Sequence, residues 1–419
     1  MTVEITTLKN GMRVATDAID GVESAAVGVW VDVGARDEPV ELNGISHLLE
    51  HMAFKGTQRR DAQAIAKEIE DVGGHVNAYT SRENTAYYAR VLKNDVPLAI
   101  DMLADILQNS TFAEDELEKE RWVVMQEIAQ VFDTPDDLIF DLYQERAFPD
   151  QPMGRSILGT AKRVEGFQRQ SLVDFMERYY TADSMILTAA GSVDHDEVVR
   201  LAEEQFAGLR HSNGHETPPA AYAGGAIEHE DDVEQVHLIA GCDGVGFEDV
   251  DYFPIQLFTN ALGGGMSSRL FQEVREKRGL AYSIYAFHSS FADNGLFGVY
   301  AGSAEEDANE VADVIAEELL RACDGLDGKE LDRARTQLKA GLLMSRESTA
   351  SRCEALARQM LIYNRAVTQD EIVKKLDDVC LEDVRRCACR LLNDVTPTVA
   401  TIGQKSGLSQ YDRIASRLN

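Results

Sequence analysis

The feature that most constrains the fold of this chain is a diverged internal repeat. The segment 68–74 (EIEDVGG) resembles 273–279 (EVREKRG), and 101–107 (DMLADIL) resembles 313–319 (DVIAEEL). A repeat of this length favours two similar domains of about 200 residues over one large core. A Gly/Pro-rich stretch at 211–226 separates the two copies. We therefore expect an N-terminal domain at 1–212, a linker at 213–228 and a C-terminal domain at 229–419.

The first copy carries the motif His-x-x-Glu-His, formed by His47, Glu50 and His51. Residues four apart lie one above the other on a helix, so both imidazoles can face one point. The apolar side chains of this helix fall on its opposite side and can pack into a core: Ile45, Leu48, Leu49 and Met52. Neutral imidazoles at this spacing, beside a carboxylate that can accept a proton, are typical of a catalytic zinc site. The alternative is an exposed helix face that carries these residues by accident.

A predicted helix at 113–131 supplies a candidate third ligand. Its Glu120 and Glu127 are two turns apart and share a face. Two His leave a tetrahedral zinc one protein ligand short, and a carboxylate from another helix commonly completes such a site. We take Glu127 as this ligand and expect Glu120 to orient a ligand or to tune the charge of the site. The alternative is that both are solvated charges on an acidic helix.

Several of these motifs together resemble the pitrilysin/insulinase family of zinc peptidases (inverzincins), in particular its branch of processing peptidases. The motifs are 47–57 (HLLEHMAFKGT), 77–83 (NAYTSRE), Glu120 and Glu127. The resemblance spans essentially the whole chain. It implies an α+β fold with two homologous α/β-sandwich domains, each a mainly antiparallel sheet covered by helices. Members of the family form a clamshell of four such domains, so a chain that supplies half of it is expected to pair as a homodimer or a heterodimer.

The resemblance also assigns the metal site residue by residue. It makes His47, His51 and Glu127 the ligands of one Zn²⁺ per chain, with Glu50 as the general base. Glu120 occupies a further family position beside the ligands. Manganese or cobalt stays open, because metal affinities for the same ligands overlap.

Residues that contact the substrate are assigned by the same resemblance. Asn77 and Ala78 are expected on a strand edge that pairs with an extended peptide. Arg275 and Tyr282, seven residues apart, are expected to contact the peptide backbone near the scissile bond, where their donors can stabilise an oxyanion. An ordinary helix-end charge and a core aromatic are the alternatives for these two residues, and Arg278 is a nearby candidate for the cationic role.

The net charge bears on the class of partner. With 72 acidic and 41 basic residues, the chain has a formal net charge of −31, which disfavours nucleic acid and anionic membranes and favours basic peptides. Solubility alone would explain this charge equally well. The glycine run 263–265 lacks the lysine and the spacing of a nucleotide-binding loop, so no nucleotide cofactor is expected.

The compartment is inferred from the cysteines and the N-terminus. The six cysteines include no Cys-x-x-Cys pair, and no basic segment followed by an apolar run opens the chain. No stretch approaches the 18 or so apolar residues of a membrane span. We therefore expect a cytoplasmic protein with reduced thiols and no membrane segment.

The expected function is that of a zinc-dependent endopeptidase acting on extended peptides. One alternative is a non-catalytic structural or assembly subunit, since the family includes such chains. The presence of all four motif residues weighs against it. A metal hydrolase acting on small molecules is a second alternative.

Overall fold

The computed structural model describes residues 3–211, 214, 217–393, 395–404 and 410–418. Its strands are β1 (Val3–Thr7), β2 (Arg13–Ala18), β3 (Ser24–Val31), β4 (His75–Thr80), β5 (Thr85–Leu92), β6 (Met185–Gly191), β7 (Gly225–Glu230), β8 (Val236–Asp243), β9 (Ala281–Ser290), β10 (Gly295–Ser303) and β11 (Thr398–Gly403). Its α-helices are α1 (Ile45–Ala53), α2 (Ala62–Asp71), α3 (Val96–Gln108), α4 (Glu114–Phe132), α5 (Pro135–Ala147), α6 (Ala161–Gly166), α7 (Arg169–Tyr179), α8 (His195–Phe206), α9 (Tyr252–Gly263), α10 (Ala308–Gly325), α11 (Gly328–Ser345), α12 (Thr349–Tyr363), α13 (Gln369–Asp378), α14 (Leu381–Leu392) and α15 (Gln410–Leu418). Among these helices of the described ranges, none is both long and apolar enough to cross a bilayer.

The strands form two sheets of matching topology. The first sheet has the order β1-β2-β6-β3-β5-β4 and the second has the order β7-β11-β8-β10-β9. In each sheet one pair is parallel, β2 with β6 and β7 with β11, and the remaining pairs are antiparallel. The first sheet has one strand, β1, that has no counterpart among the described strands of the second sheet. The expected α+β class with two similar domains is therefore confirmed.

The chain forms two compact units, and the first contains Met1–Ala129, Arg155–Pro218 and Leu343–Val367. Its sheet is covered on both faces, which is why β3 is buried over nearly its whole length. One face packs on α1 and α3 within the larger core. The other face packs Ala26 and Trp30 against Cys353 and Ala357 of α12.

The second unit contains Gln130–Gly154, Pro219–Leu342 and Thr368–Asn419. Its sheet is likewise covered on both faces. One face packs on α9, α10 and α14. Helix α5 covers the other face, where the Tyr143 hydroxyl donates a 2.6 Å hydrogen bond to the Phe297 carbonyl of β10.

These units differ from the expected contiguous domains in two respects. The chain passes from the first unit to the second at 218/219, close to the expected boundary, but 130–154 and 343–367 each pack with the other half of the sequence. Strand β7 begins at Gly225, inside the range expected to be a linker, because its residues pair with β11. Residues 213, 215 and 216 of that linker lie outside the described residues.

Candidate metal centre

Helix α1 presents two chemically different sides. Its apolar side chains are almost completely buried in the core of the first unit: Ile45, Leu48, Leu49 and Met52. His47, Glu50 and His51 lie on the opposite side and keep partial access to solvent. The buried side fixes the helix on the sheet, so the three polar side chains project from a rigid support.

The side chains of His47, His51 and Glu127 converge on one point. The Oε2 atom of Glu127 lies 3.6 Å from His47 Nε2 and 3.5 Å from His51 Nε2. One ligand atom from each residue lies within 4.8 Å of the other two. In a tetrahedral zinc site with bonds of about 2.0–2.1 Å, neighbouring ligand atoms are separated by about 3.3–3.4 Å. Two imidazole nitrogens and one carboxylate oxygen at these separations therefore fit a zinc ion.

The protonation state of His47 also suits a metal ligand. Burial, together with the neighbouring His51, lowers the pKa of His47 to about 4. The ring is thus neutral near pH 7, which is the state in which imidazole binds metals. Among the described residues, its Nδ1 is buried without a hydrogen-bond partner, and its Nε2 faces Glu127.

Glu120 contacts the Nδ1 atom of the second imidazole, that of His51. The Oε2 atom of Glu120 lies 3.1 Å from His51 Nδ1, and its Oε1 atom forms a 2.7 Å ion pair with Lys55 Nζ. Burial raises the pKa of Glu120, but the hydrogen bonds from His51 and Lys55 outweigh burial and leave the pKa below its usual value. A carboxylate on Nδ1 holds the imidazole with Nε2 towards the metal.

Glu50 lies beside this triad, and its Oε2 accepts a 2.7 Å hydrogen bond from the Thr80 hydroxyl. Burial raises the pKa of Glu50, and the bond from Thr80 and the charge of His51 only partly oppose this effect. A carboxylate whose pKa is shifted towards neutrality is suited to accept a proton and return it.

Thr80 and Lys55 are contacts that the sequence analysis did not single out. Both residues lie inside motifs that carry the family resemblance, Thr80 in 77–83 and Lys55 in 47–57. Their membership of these motifs is the sequence feature that could have pointed to them. What the sequence could not give is the long-range geometry. Thr80 lies 30 positions from Glu50, and Lys55 lies 65 positions from Glu120.

Asn77 and Ala78 lie on β4, which is at the edge of the first sheet. They pair with Tyr88 and Tyr87 of β5, and no described strand pairs with the other side of β4. The same strand ends at Thr80, which contacts Glu50. Strand β4 therefore leads directly to the candidate metal centre.

Arg275 and Tyr282 belong to the second unit and contact each other. Arg275 lies in the last turn of the helical segment Phe271–Lys277, and its guanidinium carbon lies 4.8 Å from the centroid of the Tyr282 ring. Tyr282 lies on the edge strand β9 and is 73% exposed, so it is not a core aromatic. Arg278 instead forms an ion pair with Glu310, which makes Arg275 the better candidate for the cationic role.

The chain is similar in sequence to known proteins over most of its length. The family model described as Insulinase (Peptidase family M16) matches residues 13–161, and the model described as Peptidase M16 inactive domain matches residues 166–338. An "Uncharacterized zinc protease" of Rickettsia felis is 39% identical over 95% of this chain and 97% of its own length. The mitochondrial-processing peptidase subunit beta of Lentinula edodes is 36% identical over 99% of this chain and 93% of its own.

Solved structures show the same fold at lower identity. A protease from Helicobacter pylori superposes with a TM-score of 0.87 at 23% identity, covering 96% of this chain and 99% of its own. A peptidase M16 inactive domain from Pseudomonas fluorescens has a TM-score of 0.88 at 21% identity, covering 97% and 98% of the two chains.

Proposed function

Because this chain belongs to the insulinase (M16) family of peptidases, we propose that it is a zinc-dependent endopeptidase that cleaves extended peptides or unfolded segments. The single observation that carries the proposal is the convergence of His47 Nε2, His51 Nε2 and Glu127 Oε2 within 4.8 Å. Three ligand atoms with a carboxylate beside them are the arrangement that metal-assisted hydrolysis requires, which supports a catalytic over a purely structural role.

Each residue of the candidate metal centre has a separate role in the proposed hydrolysis. His47, His51 and Glu127 hold one zinc ion, and Glu120 fixes the orientation of His51. Zinc in such a site lowers the pKa of a water molecule and polarises a carbonyl group. Glu50 takes the proton of the attacking water and delivers it to the leaving amine, so that it ends the cycle ionised again.

The substrate binds through its backbone along β4, at Asn77 and Ala78. The unpaired side of an edge strand offers N–H and C=O groups to an extended peptide, and this mode of binding is largely independent of the side chains bound. Arg275 and Tyr282 supply donors for the peptide backbone near the scissile bond. The net charge of −31 favours basic peptides.

We further propose that the chain works as a pair, with a homodimer as the first choice and a heterodimer as the alternative. One relative is named subunit beta of a processing peptidase, and this chain covers 93% of its length. The six cysteines are all free thiols, four of them buried, which supports a reducing, cytoplasm-like compartment.

The proposal is tested by incubating the protein with a pool of basic and neutral peptides, with and without a chelator. Native mass spectrometry gives the number of subunits and the metal content. We expect one zinc per chain, and cleavage that stops when the chelator is added. Glu50→Gln keeps the zinc but loses about 10²–10⁴-fold in rate, because general-base catalysis is lost.

Glu127→Gln provides the second arm, since it removes a ligand charge and is expected to lower the zinc content. Glu118→Gln, an exposed glutamate on the same helix, is the matched control and leaves both zinc and rate unchanged. The absence of cleavage in every arm, with zinc bound, would favour the non-catalytic subunit. Cleavage that survives both the chelator and Glu50→Gln would reject the proposal.

A further inference from the structure

A buried carboxylate outside the metal centre, that of Glu38, has no role in the proposed chemistry. Glu38 is only 2% exposed and follows the short helical turn Ala35–Asp37. A buried charged side chain is costly unless hydrogen bonds compensate for lost hydration. The partners of Glu38 are therefore informative.

Both oxygens of Glu38 accept hydrogen bonds at the N-terminus of α1. Oε1 accepts from the Ser46 backbone N–H at 2.8 Å. Oε2 accepts from the Gly44 backbone N–H at 2.8 Å and from Asn43 Nδ2 at 3.0 Å. The first N–H groups of a helix have no partner within the helix, and its N-terminus carries partial positive charge. Glu38 supplies acceptors for two of these groups. Burial raises the pKa of Glu38 to about 7, and the hydrogen bonds from Ser46, Gly44 and Asn43 only partly oppose this effect, so the carboxylate is ionised above that pH.

Helix α1 cannot obtain this cap from its own N-cap residue. That residue is Gly44, which has φ +99° and no side chain. A Cβ atom at position 44 would lie 2.6 Å from the Leu158 carbonyl oxygen, so the close approach of this loop requires glycine. The cap must therefore come from elsewhere in the chain.

We propose that Glu38 is a positioning residue for the metal centre, acting by fixing the N-terminal turn of α1. Ser46, which it holds, immediately precedes His47, and Glu50 lies one turn further along the same helix. The Arg155 guanidinium donates a 2.6 Å hydrogen bond to the Glu38 backbone carbonyl and so holds Glu38 in turn. Above pH 7, where Glu38 is ionised, hydrogen bonds to its carboxylate are about twice as strong as bonds to a neutral acceptor. This inference rests on the proposed function, because it assumes that His47 binds the metal.

Glu38→Gln is the test, because an amide would turn an N–H group towards one of the N–H donors that now meet an oxygen. We expect the dissociation constant for zinc, measured by competition with a chromophoric chelator, to weaken by about 10-fold or more. We also expect kcat to fall by a similar factor while KM changes little.

Asp194→Asn is the matched control. Asp194 caps α8 through a 2.9 Å hydrogen bond from the Glu197 N–H, and the substitution makes the same change of carboxylate to amide. It is expected to change neither zinc affinity nor, by more than a little, the melting temperature, because an asparagine oxygen can accept the same hydrogen bond. A purely structural role for Glu38 would leave zinc affinity unchanged, as in this control, and would lower the melting temperature equally in the zinc-free and zinc-loaded proteins.

Glu38→Asp keeps the charge on a shorter side chain and is expected to lose less zinc affinity than Glu38→Gln. If Glu38→Gln does not fold, the zinc affinity of Glu38→Asp tests the inference instead. A folded Glu38→Gln, or failing that a folded Glu38→Asp, with wild-type zinc affinity overturns the inference alone. A wild-type protein that binds no zinc overturns the proposed function instead.

Discussion

Residues of the same type in this centre have pKa values that their surroundings shift in opposite directions. Burial raises the pKa of Glu50, whereas His51 and Lys55 lower that of Glu120 in spite of burial. His47 and His51 differ in the same way. The pKa of His47 falls on burial, while that of His51 is raised because the hydrogen bond to Glu120 and the nearby negative charges outweigh its burial. Paired groups with opposite shifts are a signature of assigned acid–base roles.

Thr80→Val removes the hydroxyl that holds Glu50 and replaces it with a methyl group of similar shape. The Thr80 hydroxyl lowers the pKa of Glu50, so its loss moves the acidic limb of the kcat/KM profile to higher pH. We expect kcat to fall by about 10-fold, the value of one charge-assisted hydrogen bond, with zinc content unchanged. Thr80→Ser retains the donor and serves as the control. A profile of Thr80→Val that superimposes on the wild type contradicts this role.

His288, in the second unit, makes stability depend on pH independently of the metal. Its Nε2 accepts a 3.2 Å hydrogen bond from the Val245 N–H, and burial lowers its pKa to about 4. Because the folded pKa lies below the unfolded value of 6.5, the native state binds fewer protons, and stability present above pH 6.5 is lost as the pH falls towards 4.

Urea denaturation at pH 7.5 and pH 5.5 measures this effect. The wild type is expected to lose about 1 kcal/mol more between these two pH values than His288→Gln, which cannot be protonated in this range. Taking the difference between pH values cancels the overall destabilisation caused by the substitution. Equal losses in the two proteins contradict the prediction.

At the scale of elements, local patterns predicted most of the first half of the chain. The hydrophobic spacing of the sequence predicts helices at about 44–54, 61–71 and 95–108, and the structure has helices at Ile45–Ala53, Ala62–Asp71 and Val96–Gln108. The sequence also predicts a hairpin of strands at 3–8 and 12–16 with a turn at 9–11, and β1 and β2 form this hairpin. These elements have clear hydrophobic periodicity and local end signals, such as Asp61, whose side chain caps α2.

Elements defined by distant pairing were harder to predict. Strand β7 was expected to be linker, and its partner β11 is distant in sequence. Strand β8, whose partners β10 and β11 are also distant, was not identified from the sequence. Strand β9 was missed for another reason, since it pairs with the adjacent β10 but alternates only weakly between buried and exposed positions. The candidate metal site shows the same division. The motif and its spacing pointed to His47, His51 and Glu127, which the structure brings together. The cap from Glu38 depends on a loop closing around Gly44, and nothing in the local sequence encodes that contact.

At the scale of the whole molecule, the most informative feature is the mixed origin of each unit. The sheet of the first unit, built from the first half of the sequence, is covered on one face by α12 from the second half. The sheet of the second unit is covered by α5 from the first half. A buried ion pair anchors α12, since Arg352 donates two hydrogen bonds of 2.8 Å to Asp17 on β2. The two sequence halves are therefore not independent folding units.

A fragment of residues 1–218 is accordingly expected to expose the sheet face that α12 covers. Trp30 reports on this face because it is 3% exposed, and Trp122→Phe removes the other tryptophan, which is 61% exposed. We expect the fragment to show red-shifted Trp30 emission and a melting temperature at least about 10 °C below the full chain, since several buried side chains and the partner of Asp17 are lost. Adding a peptide of residues 343–367 should shift the emission back to the blue, while a scrambled peptide should not. A fragment whose Trp30 emission already matches the full chain contradicts this dependence.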